Sequence, residues 1–141
     1  MKKLLIAGLL LVVCGAPRVQ AEDSRIVGLW KAVSYTIDGV DYPMEGLFIF
    51  RAHYYSANVR FNYTSKGPID DANGNAGPYT ADGKQVVLGQ WVQVHVRPGD
   101  KKEPILSRKG PDEATSYHFE GNRLILTFPS KNKYVLERIT E

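Results

Sequence analysis

No stretch of this 141-residue chain sustains a helical period. That absence excludes a helical bundle and any architecture alternating helices with strands. Cysteine is nearly absent as well. Cys14 is the single one, so no disulfide framework can staple the fold, and stability must come from a hydrophobic core. Long apolar runs are also missing. The longest, Leu4–Val13, has ten residues and is too short for a transmembrane span. Charge of one sign is scarce too: 18 Lys and Arg stand against 15 Asp and Glu. Three of those basic residues, Lys2, Lys3 and Arg18, precede residue 22, so the remaining 120 residues balance. A nucleic-acid partner, which needs a broad basic face, is not expected. The short clusters Gly99–Lys102 and Arg108–Gly110 read as solvated loop tips.

The first residues follow a different grammar from the rest. Lys2 and Lys3 are followed by the apolar run, and the run by the small-residue ending Val19-Gln20-Ala21. Basic, apolar, then small is the pattern of a secretory signal peptide cleaved after Ala21. It implies an exported protein, periplasmic or secreted, whose domain spans residues 22–141. Cys14 offers a second reading, a lipoprotein tethered through an acylated cysteine.

What the chain has in quantity is short runs rich in Val, Ile, Tyr, Phe and Thr, separated by Gly, Pro, Asn and Asp. Eight are counted: 26–37, 46–51, 54–63, 76–81, 84–97, 113–119, 123–128 and 133–140. Asp38-Gly39, Asp82-Gly83, Pro98-Gly99 and the Glu120–Asn122 turn punctuate them. Eight consecutive strands predict an all-β, antiparallel up-and-down barrel, which removes every sheet edge. Residues 64–78 and 98–112 read as long polar loops.

The first run opens with Gly28-Leu29-Trp30, and the last run carries Arg138. An inward Trp30 plugs one end of such a barrel, and the planar Arg138 guanidinium is suited to stack on its ring. Gly28 leaves room for that packing. These residues, with Val33-Ser34-Tyr35, Asp38-Gly39, Tyr42-Pro43, Gly46–Phe50 and Tyr55-Ser56-Ala57, resemble the bacterial lipocalin-like domain family within the calycins. The stretch Ala76–Pro98 is similar to that family's central hairpin and long strand, although Gln90 and Trp91 stand where adjacent histidines are common. The resemblance implies a lipocalin-type barrel that binds a small molecule.

Strand alternation then assigns faces. With Trp30 inward, Ala32, Ser34 and Thr36 follow, while Val33, Tyr35, Ile37 and Trp91 form an outer apolar patch suited to a partner or a homodimer. Tyr55, Ala57, Val59 and Phe61 face in, as do Leu88, Gln90, Val92, Val94 and Val96. So do Thr115, Tyr117, Phe119, Leu124, Leu126, Phe128, Tyr134 and Leu136. The candidate ligand-binding set is Ser34, Tyr55, Val59, Phe61, Gln90, Val92, Tyr117 and Tyr134, with Gly28, Trp30 and Arg138 closing the barrel. This interior suits a small hydrophobic molecule. A barrel filled by its own side chains, acting through its surface, stays open, and so does a cofactor-free isomerase, cyclase or hydrolase.

No cofactor or metal is called for. His53, His95 and His118 lack metal-ligand spacing. Asp71, Asn73, Asn75 and Asp82 fall at calcium-loop positions one, three, five and twelve, but Ala76 replaces the required glycine. Asn62-Tyr63-Thr64 matches a glycosylation sequon and is read as coincidence in an exported bacterial chain.

Overall fold

The structure, a computed structural model, describes residues 23–62, 70–96, 105–107 and 112–140. The expectations for the signal peptide, Cys14, the sequon's last two residues and the basic clusters lie outside the described residues. A short 3-10 turn, Ser24–Ile26, leads into ten strand segments. They are β1 (Gly28–Ile37), β2 (Val40–Arg51), β3 (Tyr54–Asn62), β4 (Asp70–Ala81) and β5 (Gln85–Leu88). Then come β6 (Val92–Val96), β7 (Ile105–Ser107), β8 (Glu113–Glu120), β9 (Arg123–Thr127) and β10 (Lys133–Arg138).

Eight of these close into a ring of antiparallel neighbours, in the order β1, β2, β3, β4, β5, β8, β9, β10 and back to β1. The expected barrel is therefore the fold. β6 and β7 extend it as a hairpin. β4 pairs with β5 through Tyr79–Ala81 and with β6 through Ala72–Ala76, so β5 and β6 are two segments of one long strand. The turns obey local chemistry. Asp38 and Gly39 both take positive φ, 49° and 81°, the conformation of a two-residue hairpin turn of matching twist. At the β4–β5 turn the Asp82 carboxylate accepts from the Lys84 and Gln85 amides at 2.9 and 2.7 Å.

Three extents differ from the sequence reading, one of them Ile105–Ser107, which pairs with β6 as β7 inside the stretch read as a loop. β2 begins at Val40 rather than at residue 46, because the tight turn brings Val40 opposite Ile37 and pairing propagates from there. The polar run Asp70–Gly77 is strand rather than loop. Its Asn, Asp, Gly and Ala have poor strand propensity, but β3 pairs with it along its length and β6 pairs on its other side. Pairing on both sides overrides the local preference.

The closed end is built as Gly28, Trp30 and Arg138 suggested. The Arg138 guanidinium lies 4.1 Å above the Trp30 ring. Arg138 Nη1 donates to the Val27 carbonyl at 3.0 Å, and Nη2 donates to the Arg25 carbonyl. Trp30 Nε1 donates to the Ile26 carbonyl at 2.9 Å. Arg138 and Trp30 thus fasten the 3-10 turn across the base as a plug, with Ile26 fully buried beneath it. Gly28 has φ +149°, and a Cβ there would come within 2.6 Å of Arg138 Nη1. Above the plug, Phe50, Leu124, Leu126, Leu136 and Val86 fill the barrel with no exposed surface.

Gly28→Ala is expected to cost about 2 kcal/mol, from a strained backbone and a displaced guanidinium. Arg138→Ala is expected to cost about as much. Because the first substitution already dislodges Arg138, the double variant should lose distinctly less than the sum. Urea denaturation followed by Trp30 fluorescence checks this; full additivity would show that glycine and arginine act independently.

Candidate functional site: the open half of the barrel

Away from the plug, two β-bulges decide which side chains face inward. In β1, Ala32 pairs with Leu136 but Ser34 pairs with Val135, so one extra residue is accommodated at Val33. Beyond it the faces exchange. Tyr35 points inward, with its ring 5.5 Å from Phe61 and 4.8 Å from Tyr134. Ser34 and Thr36 lie on the outer face, where Thr36 Oγ1 donates to the Asp41 carboxylate at 2.5 Å. Ser34 is therefore not a cavity residue, and Tyr35 does not belong to an outer patch.

The second bulge lies between β5 and β6. Tyr79 pairs with Leu88, but Ala76 pairs with Val92, leaving one extra residue among Gly89, Gln90 and Trp91. Gly77 permits it: a Cβ there would sit 1.8 Å from the Gly89 carbonyl oxygen. Leu88 and Gln90 face in, as expected. Val92, Val94 and Val96 turn outward, and Gln93 and His95 replace them inside, opposite Asn75 and Asn73. Val92, 43% exposed, is thus corrected from the ligand-binding set.

The interior of the open half consequently has two walls. One is aromatic: Tyr35, Phe48, Phe61, Phe128 and Tyr134, packed mainly edge to face. The other is polar: Asp71, Asn73 and Asn75 from β4, with Gln90, Gln93 and His95 facing them. Of the spacing that mimicked a calcium loop, Asp71, Asn73 and Asn75 are one inward face of β4, and Asp82 lies in the turn after it. Among the described residues no cluster of three metal-ligating side chains forms. His95 Nε2 donates to the Asp71 carboxylate at 2.6 Å, with Asp71 almost completely buried and His95 about a third exposed. Asn75 Nδ2 donates to Asn73 Oδ1 at 3.1 Å, while Asn75 Oδ1 is buried with no hydrogen bond among the described residues.

Between the walls lies a chamber of about 110 Å³. Tyr55, Val59, Gln90 and Tyr134 from the expected set line it, joined by Gln93 and Glu113, which the sequence reading did not single out. Phe61 packs beside it against Tyr35. Glu113 opposes the inward Leu88, and burial pushes its carboxyl above the ordinary range. Burial, and secondarily the Glu113 charge, pushes the Tyr55 phenol up to about 12.

Tyr117 is inward but belongs to the plug. Its hydroxyl donates to Asp23 Oδ2 at 2.9 Å and accepts from the Gly83 amide at 2.8 Å, tying the entering chain to the β4–β5 turn. The Arg25 guanidinium and then the Tyr117 hydroxyl hold the Asp23 carboxyl down at about 2, against the desolvation that opposes them.

The outer face carries a second concavity. Across β3, β4 and β6, a groove of about 670 Å³ has a floor of Ala72, Gly74 and Ala76 and a rim of Val92, Val94 and Val96. Next to it the exposed rings of Tyr54 and Trp91 pack 5.2 Å apart. The fold and interior define a closed eight-stranded antiparallel barrel with one plugged end and a small two-sided chamber. No family model, no curated protein and no solved structure matches this chain.

The bulge assignment is checked by charge insertion. Val92→Lys should change stability by under about 0.5 kcal/mol, whereas Val59→Lys should abolish the cooperative thermal transition. The reverse ranking would return Val92 to the interior. The Asp23 contact predicts an acid limb. A carboxyl held at about 2, below its usual 3.8, contributes stability in full above about pH 4, and this is lost as pH falls through 2. Tyr117→Phe removes one cause of that depression. Denaturation midpoints between pH 5 and pH 2 should therefore fall less steeply in Tyr117→Phe than in the parent.

Proposed function

We propose that this protein is an exported, lipocalin-like carrier that holds a small molecule in the open half of its barrel. The observation that carries the reading is the chamber between the aromatic and amide walls. Its lining sets the amides of Asn73, Asn75, Gln90 and Gln93 against the rings of Phe48, Phe128 and Tyr134. A concave space with an apolar side and a few convergent polar groups is the usual form of a small-molecule site. The replacement of the β6 valines by Gln93 and His95 shifts the expected guest. A purely hydrophobic molecule would leave the amides unpaired, so an apolar body with a polar edge fits better. The volume limits the guest to a few heavy atoms, since a cavity of about 150 Å³ suffices for benzene. Export rests on the basic, apolar and small-residue order of residues 1–21.

A second reading draws on the outer groove, which is larger than the chamber and lies beside exposed Trp91: a filled barrel that acts by its surface, on a partner protein or a second copy. The oriented imidazole of His95 would serve a cofactor-free enzyme. Among the described residues, however, the chamber lining includes no Ser, Thr or Cys to act as a nucleophile.

Native mass spectrometry of the full chain, expressed in a bacterial host and recovered from the periplasm, tests the carrier reading. The expected product begins at Glu22 and carries a mass excess that organic extraction removes. A bare chain would favour the surface reading, and an uncleaved cytoplasmic product would overturn export.

A further inference from the structure

Among the described residues, one carboxyl side chain lines the chamber. Glu113 enters it at the start of β8, in the inward row continued by Thr115 and Tyr117. Among the described residues, no Lys, Arg or His lines the chamber with it, and Glu113 forms no ion pair. Its polar neighbours there are the amides Asn73, Asn75, Gln90 and Gln93 and the phenols Tyr55 and Tyr134. The remaining surface includes the rings of Phe48 and Phe128 and the aliphatic side chains of Val59 and Leu88.

A carboxylate in a partly desolvated chamber is costly unless a cation accompanies it. Its raised pKa expresses that cost. Aromatic faces on the opposite wall attract cations as well. The amide side chains of the lining, Gln90 and Gln93 among them, can accept from N–H donors. A metal ion would satisfy the carboxylate but would waste the aromatic wall. A neutral apolar guest would satisfy the rings but leave Glu113 and the amides alone.

We propose that the chamber is a site for a small organic ammonium, its nitrogen beside Glu113 and the amides, its hydrocarbon body against Phe48, Phe128 and Tyr134. This rests on the reading of the chamber as the binding site and names the chemical class it takes. The volume of about 110 Å³ restricts the guest to a short alkylammonium or a compound of similar bulk.

The test compares isobutylammonium with isobutanol, a neutral compound of nearly the same shape, by NMR titration of the full chain. The Val59 and Leu88 methyl resonances report on the chamber. Isobutylammonium is expected to shift them with at least tenfold higher affinity than isobutanol. Glu113→Gln, which keeps the side chain's size, should erase that preference. Its unliganded melting temperature should equal or exceed the parent's, since it removes a poorly solvated charge. Equal affinity for both compounds would overturn the ammonium assignment and leave the chamber as a binding site. Binding of neither would overturn both. An ammonium preference that survives Glu113→Gln would overturn the role of Glu113, and shifts of the same methyls with calcium chloride alone would point to a metal ion instead.

Discussion

The stack of Arg138 on Trp30 joins the first strand to the last, and the rest of the barrel is organised around it. Trp30 belongs to the first strand and Arg138 to the last, and their backbones pair directly. The guanidinium covers the indole on one side. On the other it binds the carbonyls of Val27 and Arg25, which a 3-10 turn leaves without partners of its own. One planar cation thus seals the ring of strands and fixes the plug. Arginine serves here and lysine would not, because only a delocalised fork can stack on a ring and donate to two carbonyls together. Gly28 is part of the same device, since the guanidinium occupies the space its side chain would need.

From that sealed end the strands rise with ordinary alternation until the two bulges. Each accommodates one extra residue and exchanges the faces beyond it. The consequences differ. In β1 the exchange brings Tyr35 into the aromatic wall. In β6 it sends three valines outward and brings in Gln93 and His95. The base of the barrel is therefore apolar and filled, while its open half has an aromatic side and a polar side. The same exchange builds the outer groove, because the displaced valines form its rim over the small residues of β4. Chamber and groove are two results of one inserted residue.

Polar groups inside a barrel need partners, and most of them have one. The Asp71 carboxylate holds His95, and Asn73 holds Asn75. Asn75 Oδ1 and Thr115 Oγ1, both closed off in the packing, are exceptions among the described residues, and Glu113 opens onto the chamber with no ion pair.

The barrel and its closure were legible in the sequence because their causes are local. Apolar runs and turn residues mark the strands, and Gly28, Trp30 and Arg138 need only the adjacency of first and last strands that a meander supplies. The inward row Tyr55, Ala57, Val59 and Phe61 was legible for the same reason: β3 carries no bulge. The chamber was not. Whether Val92 or Gln93 faces inward depends on one extra residue near Gly89, and aliphatic character favoured the wrong row. That residue is tolerated because Gly77 on the neighbouring strand has no side chain to obstruct it, a fact of proximity rather than of order along the chain. Strand propensity likewise hid Asp70–Gly77, which is strand only because two neighbours pair with it. The sequence by itself determined the eight strands of the barrel, the turns at Asp38-Gly39 and Asp82-Gly83 and the seal between first and last strands, since these follow from composition and spacing. Only the tertiary structure decided which side chains meet inside, because a strand's facing is set by its register against its neighbours, and a single bulge reverses it.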